Sequence, residues 1–280
     1  MAAADLGSPL RATLRLLLYL GLTVPLLPVQ AVAVLGNLPL RKRLPLWYHR
    51  LSCRILGLRV VCRGQMSSAH PTLFVSNHVS YFDIAVLASL IPGSFVAKQE
   101  VAGWPLFGWL AKLQRSVFID RRGKRAAAQR DEMGERLQRG DDLILFAEGT
   151  SGDGNRVLPF KSALFSVAKL RPGGAALPVQ PVSIAYTRLD GMPMGRCLRP
   201  FFAWYGDMEL ASHIWQATGF GRVTVEVEFH PAVTLDQFAS RKALCDHCYR
   251  QVAAGVAAAL AGRPQLLPAS ESPPAAAAAN

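Results

Sequence analysis

The sequence predicts an α/β domain with a mainly parallel central sheet flanked by helices, preceded by an N-terminal membrane-associated helical segment. Two observations carry this. From about Val60 onward, β-branched or aromatic runs of strand length alternate with longer helical patterns, the order that builds parallel sheets. Ahead of them, Leu16 to Leu40 contains no charge, and that stretch exceeds the ~20 residues a helix needs to cross a hydrocarbon core. The expected layout is an anchoring segment over residues 1–58, the α/β domain over 59–262, and a disordered tail over 263–280, where "PASESPPAAAAAN" offers nothing to pack.

Along the chain, Pro25 and Pro28 interrupt the apolar segment and should kink it, so a re-entrant or interfacial helical pair stands beside a single span. Arg11 and Arg15 precede it, while Arg41, Lys42, Arg43 and Arg50 follow. That balance puts the domain on the cytoplasmic side. A signal peptide cut near "AVA" (31–33) is the rival, but the apolar run continues past the cut. Strands are predicted over 72–77, 94–98, 116–120, 142–148, 177–186 and 223–230, and helices over 83–91, 105–113, 124–139, 162–170 and 240–261. The first strands are almost continuously apolar, as strands covered on both faces are. "VTVEVEF" alternates, which predicts an edge strand with one wet face.

Composition narrows the partners. Lys and Arg number 31 against 19 Asp and Glu, a formal charge of +12 in a chain that is 51% hydrophobic. Such a balance suits nucleic acid or an anionic membrane. The apolar excess favours the membrane, and no RNP, helix-turn-helix or zinc-finger pattern supports nucleic acid. Five scattered cysteines predict reduced thiols in the cytosol. "CDHC" (245–248) lacks the fuller ligand set that zinc takes, so no metal is expected.

The chemistry centres on "VSNHVSYFDI" (75–84), where His78 follows a strand and Asp83 opens a helix. Residues five apart in a regular helix point ~140° away from each other, so the two meet only across an irregular strand-to-helix turn. An aspartate on one imidazole nitrogen fixes the tautomer and frees the other as a base. A turn-capping histidine beside a helix-capping aspartate explains the pair equally well. Three further blocks bear on the choice. "QRSVFIDRR" (114–122) ends a strand in Arg121 and Arg122, at the end where open α/β sheets bind ligands. "LFAEGTSGDGNRVLPFK" (145–161) carries Glu148, a Gly-rich turn and Lys161, and "PVQPVSI" (178–184) ends another strand. In series, over roughly residues 60–190, these blocks resemble the glycerolipid acyltransferase family, the His-x4-Asp acyltransferases that include lysophosphatidate acyltransferases.

The resemblance implies transfer of a fatty acyl group from acyl-CoA or acyl carrier protein, as donor substrate with no further cofactor, to a lysolipid hydroxyl in membrane-lipid synthesis. It implies His78 as general base, Asp83 as its orienter and direct attack of the hydroxyl on the thioester. Arg121 takes the place of the family's arginine for the acceptor's anionic head. Glu148, Gly149 and Thr150 match the third block, Phe-Pro-Glu-Gly-Thr-Arg, and Lys161 takes the place of its downstream lysine; with Arg121 and Arg156 these are the expected substrate-binding residues. Ala147 replaces the proline and Ser151 the arginine, a fork suited to phosphate; Arg156 is the nearby substitute. The same stretch, with "VAGWPLFGWLAKLQRSVFIDR", resembles most the lyso-ornithine lipid acyltransferase branch, so both acceptors stay open. Gly149 and the "GDG" turn are candidate oxyanion donors. Trp104, Phe107 and Trp109 suit an acyl channel or interfacial packing equally. His49, His70, His213, His230 and His247 read as structural. Membrane lipids are the expected partners, at the inner (cytoplasmic) membrane with the catalytic domain facing the cytoplasm. Lys42, Arg43, Arg121, Arg122, Lys124 and Arg125 would draw the site to an anionic surface. A serine hydrolase or thioesterase lacks its "GxSxG", a phosphate loop lacks its Walker pattern, and a non-catalytic membrane-binding protein would have no use for His78 and Asp83.

Overall fold

The computed structural model describes residues 7–104, 107–119 and 126–263. Two helices lead, α1 (Pro9–Leu35) and α2 (Leu40–Ile55). Then come β1 (Leu58–Gly64), β2 (Leu73–Ser76), α3 (Phe82–Ala88), β3 (Ser94–Lys98), α4 (Phe107–Leu113), β4 (Val117–Ile119), α5 (Ala126–Gln138) and β5 (Leu143–Phe146). A 3₁₀ segment (Ser162–Lys169), β6 (Val179–Leu189), β7 (Met192–Pro193), α6 (Leu210–Gly219), β8 (Val223–Phe229) and α7 (Arg241–Leu260) complete the fold.

Among the described residues the strands form one sheet in the order β1-β8-β6-β2-β5-β3-β4, with β7 paired to β6. β6, β2, β5, β3 and β4 are parallel, and β8 and β1 run against them. The predicted mainly parallel sheet is therefore present. Strand alternation sorts its core. Phe74 and Ile144 face one cluster with Val86 and Leu87 of α3, whereas Leu73, Val75, Leu143 and Leu145 face a second with Leu137 of α5 and Leu244 of α7. Every residue of β2 is buried; each such large apolar side chain contributes roughly 1.5–3 kcal/mol on burial.

Several elements differ from expectation. β8 is not an edge: β1, a stretch for which the sequence predicts no strand, pairs with its whole length from Leu58↔Val223 to Gly64↔Phe229. The alternation arises because Glu226 and Glu228 are half-buried on one face, where Arg63 of β1 pairs with Glu226 at 2.9 Å. Where an α-helix is expected over 162–170, Ser162–Lys169 forms 3₁₀ turns and Leu170 is extended. The Lys161 amide, tied to the Ala147 carbonyl, and Pro172 confine that segment. α1 runs unbroken through Pro25 and Pro28. Both prolines lie on its exposed face, so their rings and missing amides disturb no packed contact. α2 and α6 were not foreseen.

α1 is fastened to the rest of the chain near both ends. Arg15 donates to the carbonyls of Thr218, Phe220 and Gly221 at 2.7–3.2 Å. Gln30 donates to Leu113 and Arg41 at 2.9 and 3.2 Å. Between them Tyr48 of α2 bridges Tyr19 and Thr23 of α1 at 2.9 Å. α2 in turn packs on α3, and Arg50 donates to the Ser89 carbonyl at its end. The N-terminal hairpin thus supports the helix that carries Asp83.

Candidate active site

The carboxyl ends of β2 and β5, two adjacent central strands, present His78 and Glu148. The chain from His78 to Tyr81 is irregular and α3 begins at Phe82, the break that lets residues 78 and 83 meet. His78 Nδ1 lies 2.9 Å from Asp83 Oδ2. The same oxygen accepts the Val79 and Ser80 amides at 2.6 and 2.9 Å, and Oδ1 accepts the Tyr186 hydroxyl at 2.8 Å. Asp83 is wholly buried, and this full set of donors is what a buried carboxylate requires. Because Oδ2 already accepts two amides, it is an acceptor toward the ring as well, so Nδ1 carries the proton and the Nε2 lone pair is left as a base. The ring stacks on Phe146 at 4.0 Å and its side chain is 21% exposed.

Asn77, immediately before, exchanges two side-chain bonds with Ile184 of β6 at 2.9 and 3.0 Å. They mimic a backbone pair and extend the β2–β6 ladder up to His78. Neither Asn77 nor Tyr186 carries a role that the sequence alone predicts. Tyr186 sits far along the chain, inside a run that reads only as strand.

Glu148 is buried between backbone groups. Oε1 accepts the His78 amide at 3.0 Å and Oε2 the Leu158 amide at 3.1 Å. Burial pushes its pKa up from 4.5 to about 8; the two amides oppose the shift and nearby Asp83 adds to it. Gly149 turns the chain at φ 69°, in the left-handed region that favours glycine. Its amide and that of Gly152 are taken by the carbonyls of Phe146 and His78, so neither is free for an oxyanion. Thr150, Arg156 and Lys161 are exposed around this loop. Arg121, with Arg122, Lys124 and Arg125, lies outside the described residues. Ser151, at the position of the missing arginine, donates its hydroxyl to the Trp204 carbonyl.

The aromatic stretch divides. Trp104 meets Trp204 edge-on at 5.9 Å, and Trp204 packs against Tyr81 beside the site. Trp109 is 68% exposed. The other histidines have ordinary partners: Gln114 for His49, Asp142 for His70 at the opposite ends of the strands, Tyr81 for His213, Ser183 for His230 and the Phe238 ring for His247. Cys245 and Cys248 lie on the buried face of α7, where burial raises their thiol pKa values to about 11 and about 12.

A family model described as Acyltransferase matches residues 58–185. A lyso-ornithine lipid O-acyltransferase of Brucella abortus is 44% identical over 247 residues, covering 86% of this chain and 92% of that protein. A second, from Rhizobium meliloti, is 43% identical over 231 residues and covers 81% and 79%. A 1-acyl-sn-glycerol-3-phosphate acyltransferase of Neisseria gonorrhoeae is 32% identical over 205 residues and covers 72% and 75%. In fold, the chain is similar to the crystal structure of a 1-acyl-sn-glycerophosphate acyltransferase from Thermotoga maritima, with a TM-score of 0.55, 24% identity and coverage of 77% and 78%.

Proposed function

The chain belongs to the acyltransferase family, as a lysolipid acyltransferase of lipid biosynthesis, and from that premise we propose that it acylates a lyso-ornithine lipid by direct attack on a thioester. The observation that carries the mechanism is the His78–Asp83 contact, with Nδ1 engaged by a buried carboxylate. His78 Nε2 takes the proton of the lysolipid hydroxyl as its oxygen attacks the thioester carbon. The tetrahedral intermediate collapses with cleavage of the carbon–sulfur bond. The imidazolium returns the proton to the departing thiolate. Glu148 acts as a positioning residue, fixing the His78 backbone against the Gly-rich loop. Arg121, Gly149, Thr150, Arg156 and Lys161 serve substrate binding. Acyl-CoA and acyl carrier protein are the two donors of the required chemistry. The acceptor assignment rests on the higher identity to the lyso-ornithine lipid enzymes than to the 1-acylglycerol-3-phosphate enzyme.

The protein associates with membrane. α1 turns Leu14, Leu17, Val24, Val32 and Leu35 outward while α2, α4 and α6 hold its other side. Trp47, Trp109 and Trp215 on those three helices are also exposed, as an interfacial aromatic belt requires. We read α1 as lying in the plane of the cytoplasmic leaflet of the inner membrane, its fastened side to the domain and its apolar side to lipid.

The test is acyl transfer by purified protein from labelled acyl-CoA and acyl carrier protein, with lyso-ornithine lipid and lysophosphatidate offered separately. Transfer to lyso-ornithine lipid is expected, and His78→Ala should lower it by roughly 10²–10⁴-fold with an unchanged melting temperature. A wild-type rate in folded His78→Ala removes the mechanism. Transfer to lysophosphatidate alone removes the acceptor assignment.

A further inference from the structure

We propose that Asp153 and Arg199 read the two charges of a zwitterionic amino-acid head on the acceptor, making the Gly-rich loop a selector of N-acylated amino acids over phosphate monoesters. The inference rests on the acyl-transfer reading above and names the chemistry of its acceptor site.

The loop is bound to the catalytic histidine at several points. Glu148 bridges the His78 and Leu158 amides, and the Gly152 amide returns to the His78 carbonyl at 2.9 Å. Next to it, the Trp204 amide bonds the Val79 carbonyl at 3.0 Å. Gly154 sits at φ 76°, where a Cβ would lie 3.1 Å from Val79 Cγ1 and 3.8 Å from Arg199 Cβ. His78, the loop and the segment carrying Arg199 therefore form one packed unit.

Within it a single amide side chain separates an anion from a cation. Asp153 Oδ1 accepts the Asn155 amide at 3.0 Å, and Oδ2 accepts Asn155 Nδ2 at 3.2 Å. On its other side Asn155 Oδ1 accepts Arg199 Nη1 at 2.7 Å. Asn155 Nδ2 also reaches the Arg196 carbonyl at 3.3 Å, which braces the amide. Burial works against the Asp153 charge, but the two bonds from Asn155, with Arg156 nearby, hold its pKa below the ordinary value.

Arg199 is only 8% exposed, and its buried Nε has no hydrogen-bond partner. Among the described residues its side chain makes one hydrogen bond, to a neutral amide, and no ion pair; burial and Arg196 work against its charge, and the more distant Asp153 offsets them only in part. A guanidinium so buried and so poorly paired is costly, and an arriving anion relieves that cost. Ornithine acylated on its α-amine keeps one carboxylate and one ammonium. The carboxylate complements Arg199 and the ammonium complements Asp153. A phosphate monoester carries about two negative charges at neutral pH and no cation. Asp153 repels it, Ser151 supplies no guanidinium, and Arg156, the nearby cation, already neighbours the Asp153 carboxylate.

The experiment pairs variants with acceptor analogues. Full-length purified protein is assayed with lyso-ornithine lipid, its carboxamide, its N-acetylated form and lysophosphatidate. Arg199→Gln should raise KM for lyso-ornithine lipid roughly 10-fold or more, as loss of a hydrogen bond to a charged group does, with little change in kcat. It should leave the carboxamide unaffected. Asp153→Asn should raise KM for lyso-ornithine lipid, leave the N-acetylated analogue unaffected and improve use of lysophosphatidate. A loss shared equally by all four acceptors makes the cluster a loop brace and overturns the proposal, as does no loss at all. If the wild type transfers to none of the lysolipids, the acyl-transfer reading itself fails. Transfer that ignores both head-group charges overturns the selector alone.

Discussion

Asp83 has no exposure to solvent and accepts four hydrogen bonds, from the His78 ring, two amides and the Tyr186 hydroxyl. Among the described residues only Tyr186 holds Oδ1, so its removal strands one buried lone-pair site. Tyr186→Phe should cost about 1–3 kcal/mol in urea unfolding. It should also lower kcat without changing acceptor KM, because the carboxylate can then swing away from His78. An unaltered kcat would show that the two amides alone fix the carboxylate. Glu148 gives a prediction of opposite electrostatic sign. Its carboxyl titrates near 8 in the folded chain, raised first by burial, and near 4.5 when unfolded. Between those values the unfolded state binds fewer protons, so this contribution is complete below about 4.5 and is lost as pH rises toward 8. Urea midpoints at pH 5 and pH 8 should therefore diverge in the wild type and converge in Glu148→Gln; equal divergence in both would assign the slope elsewhere. At this scale the sequence displays a partnership when its members are close. His78 and Asp83 were legible because one turn contains both. Tyr186, Arg199 and the second amide held by Glu148 were not, because each reaches the site from a different strand or loop.

At the scale of elements, α7 shows how closely the layers approach. A Cβ on Gly255 would lie 2.4 Å from Ser183 Oγ and 2.7 Å from the His230 ring, which are bonded to each other at 3.1 Å and buried on β6 and just after β8. Gly255→Ala should lower stability by roughly 1–3 kcal/mol, the usual penalty for overpacking, and leave KM for both substrates unchanged. Calorimetry together with steady-state kinetics checks both halves, and a melting temperature equal to wild type would mean that the helix can shift at no cost. Elements legible in the sequence were those with a clean local period, such as β2, β5 and α7. The position of β8 was not, because its edge is covered by β1 from the far side of the chain, and alternation reports wetness of a face rather than rank in a sheet. α2 was hidden by Pro45 and by its five Lys and Arg residues, which break the apolar signal that tertiary contacts with α1 and α3 make unnecessary.

For the whole molecule the question is how an apolar helix and a basic domain share one membrane. α1, at 27 residues, is about 40 Å long, more than a bilayer core requires. Length alone therefore permits a span. Its fastenings argue against one. Arg15 is tied to α6 and its following turn, and Gln30 to the end of α4. A helix crossing the bilayer would have to carry both contacts through it. An in-plane helix keeps them and still buries its outward leucines and valines. The two arrangements differ in where the ends of α1 emerge. With the exposed Cys62 and Cys197 replaced by serine, single cysteines at Asp5 and Arg43 can be challenged with a membrane-impermeant maleimide in right-side-out and inverted vesicles. Both positions should label from the cytoplasmic side only. Labelling of position 5 from the opposite side would establish a span. The contacts of Arg15 and Gln30 would then have to break on membrane insertion, and Arg15→Ala, which removes three of them, would leave membrane-bound activity unchanged.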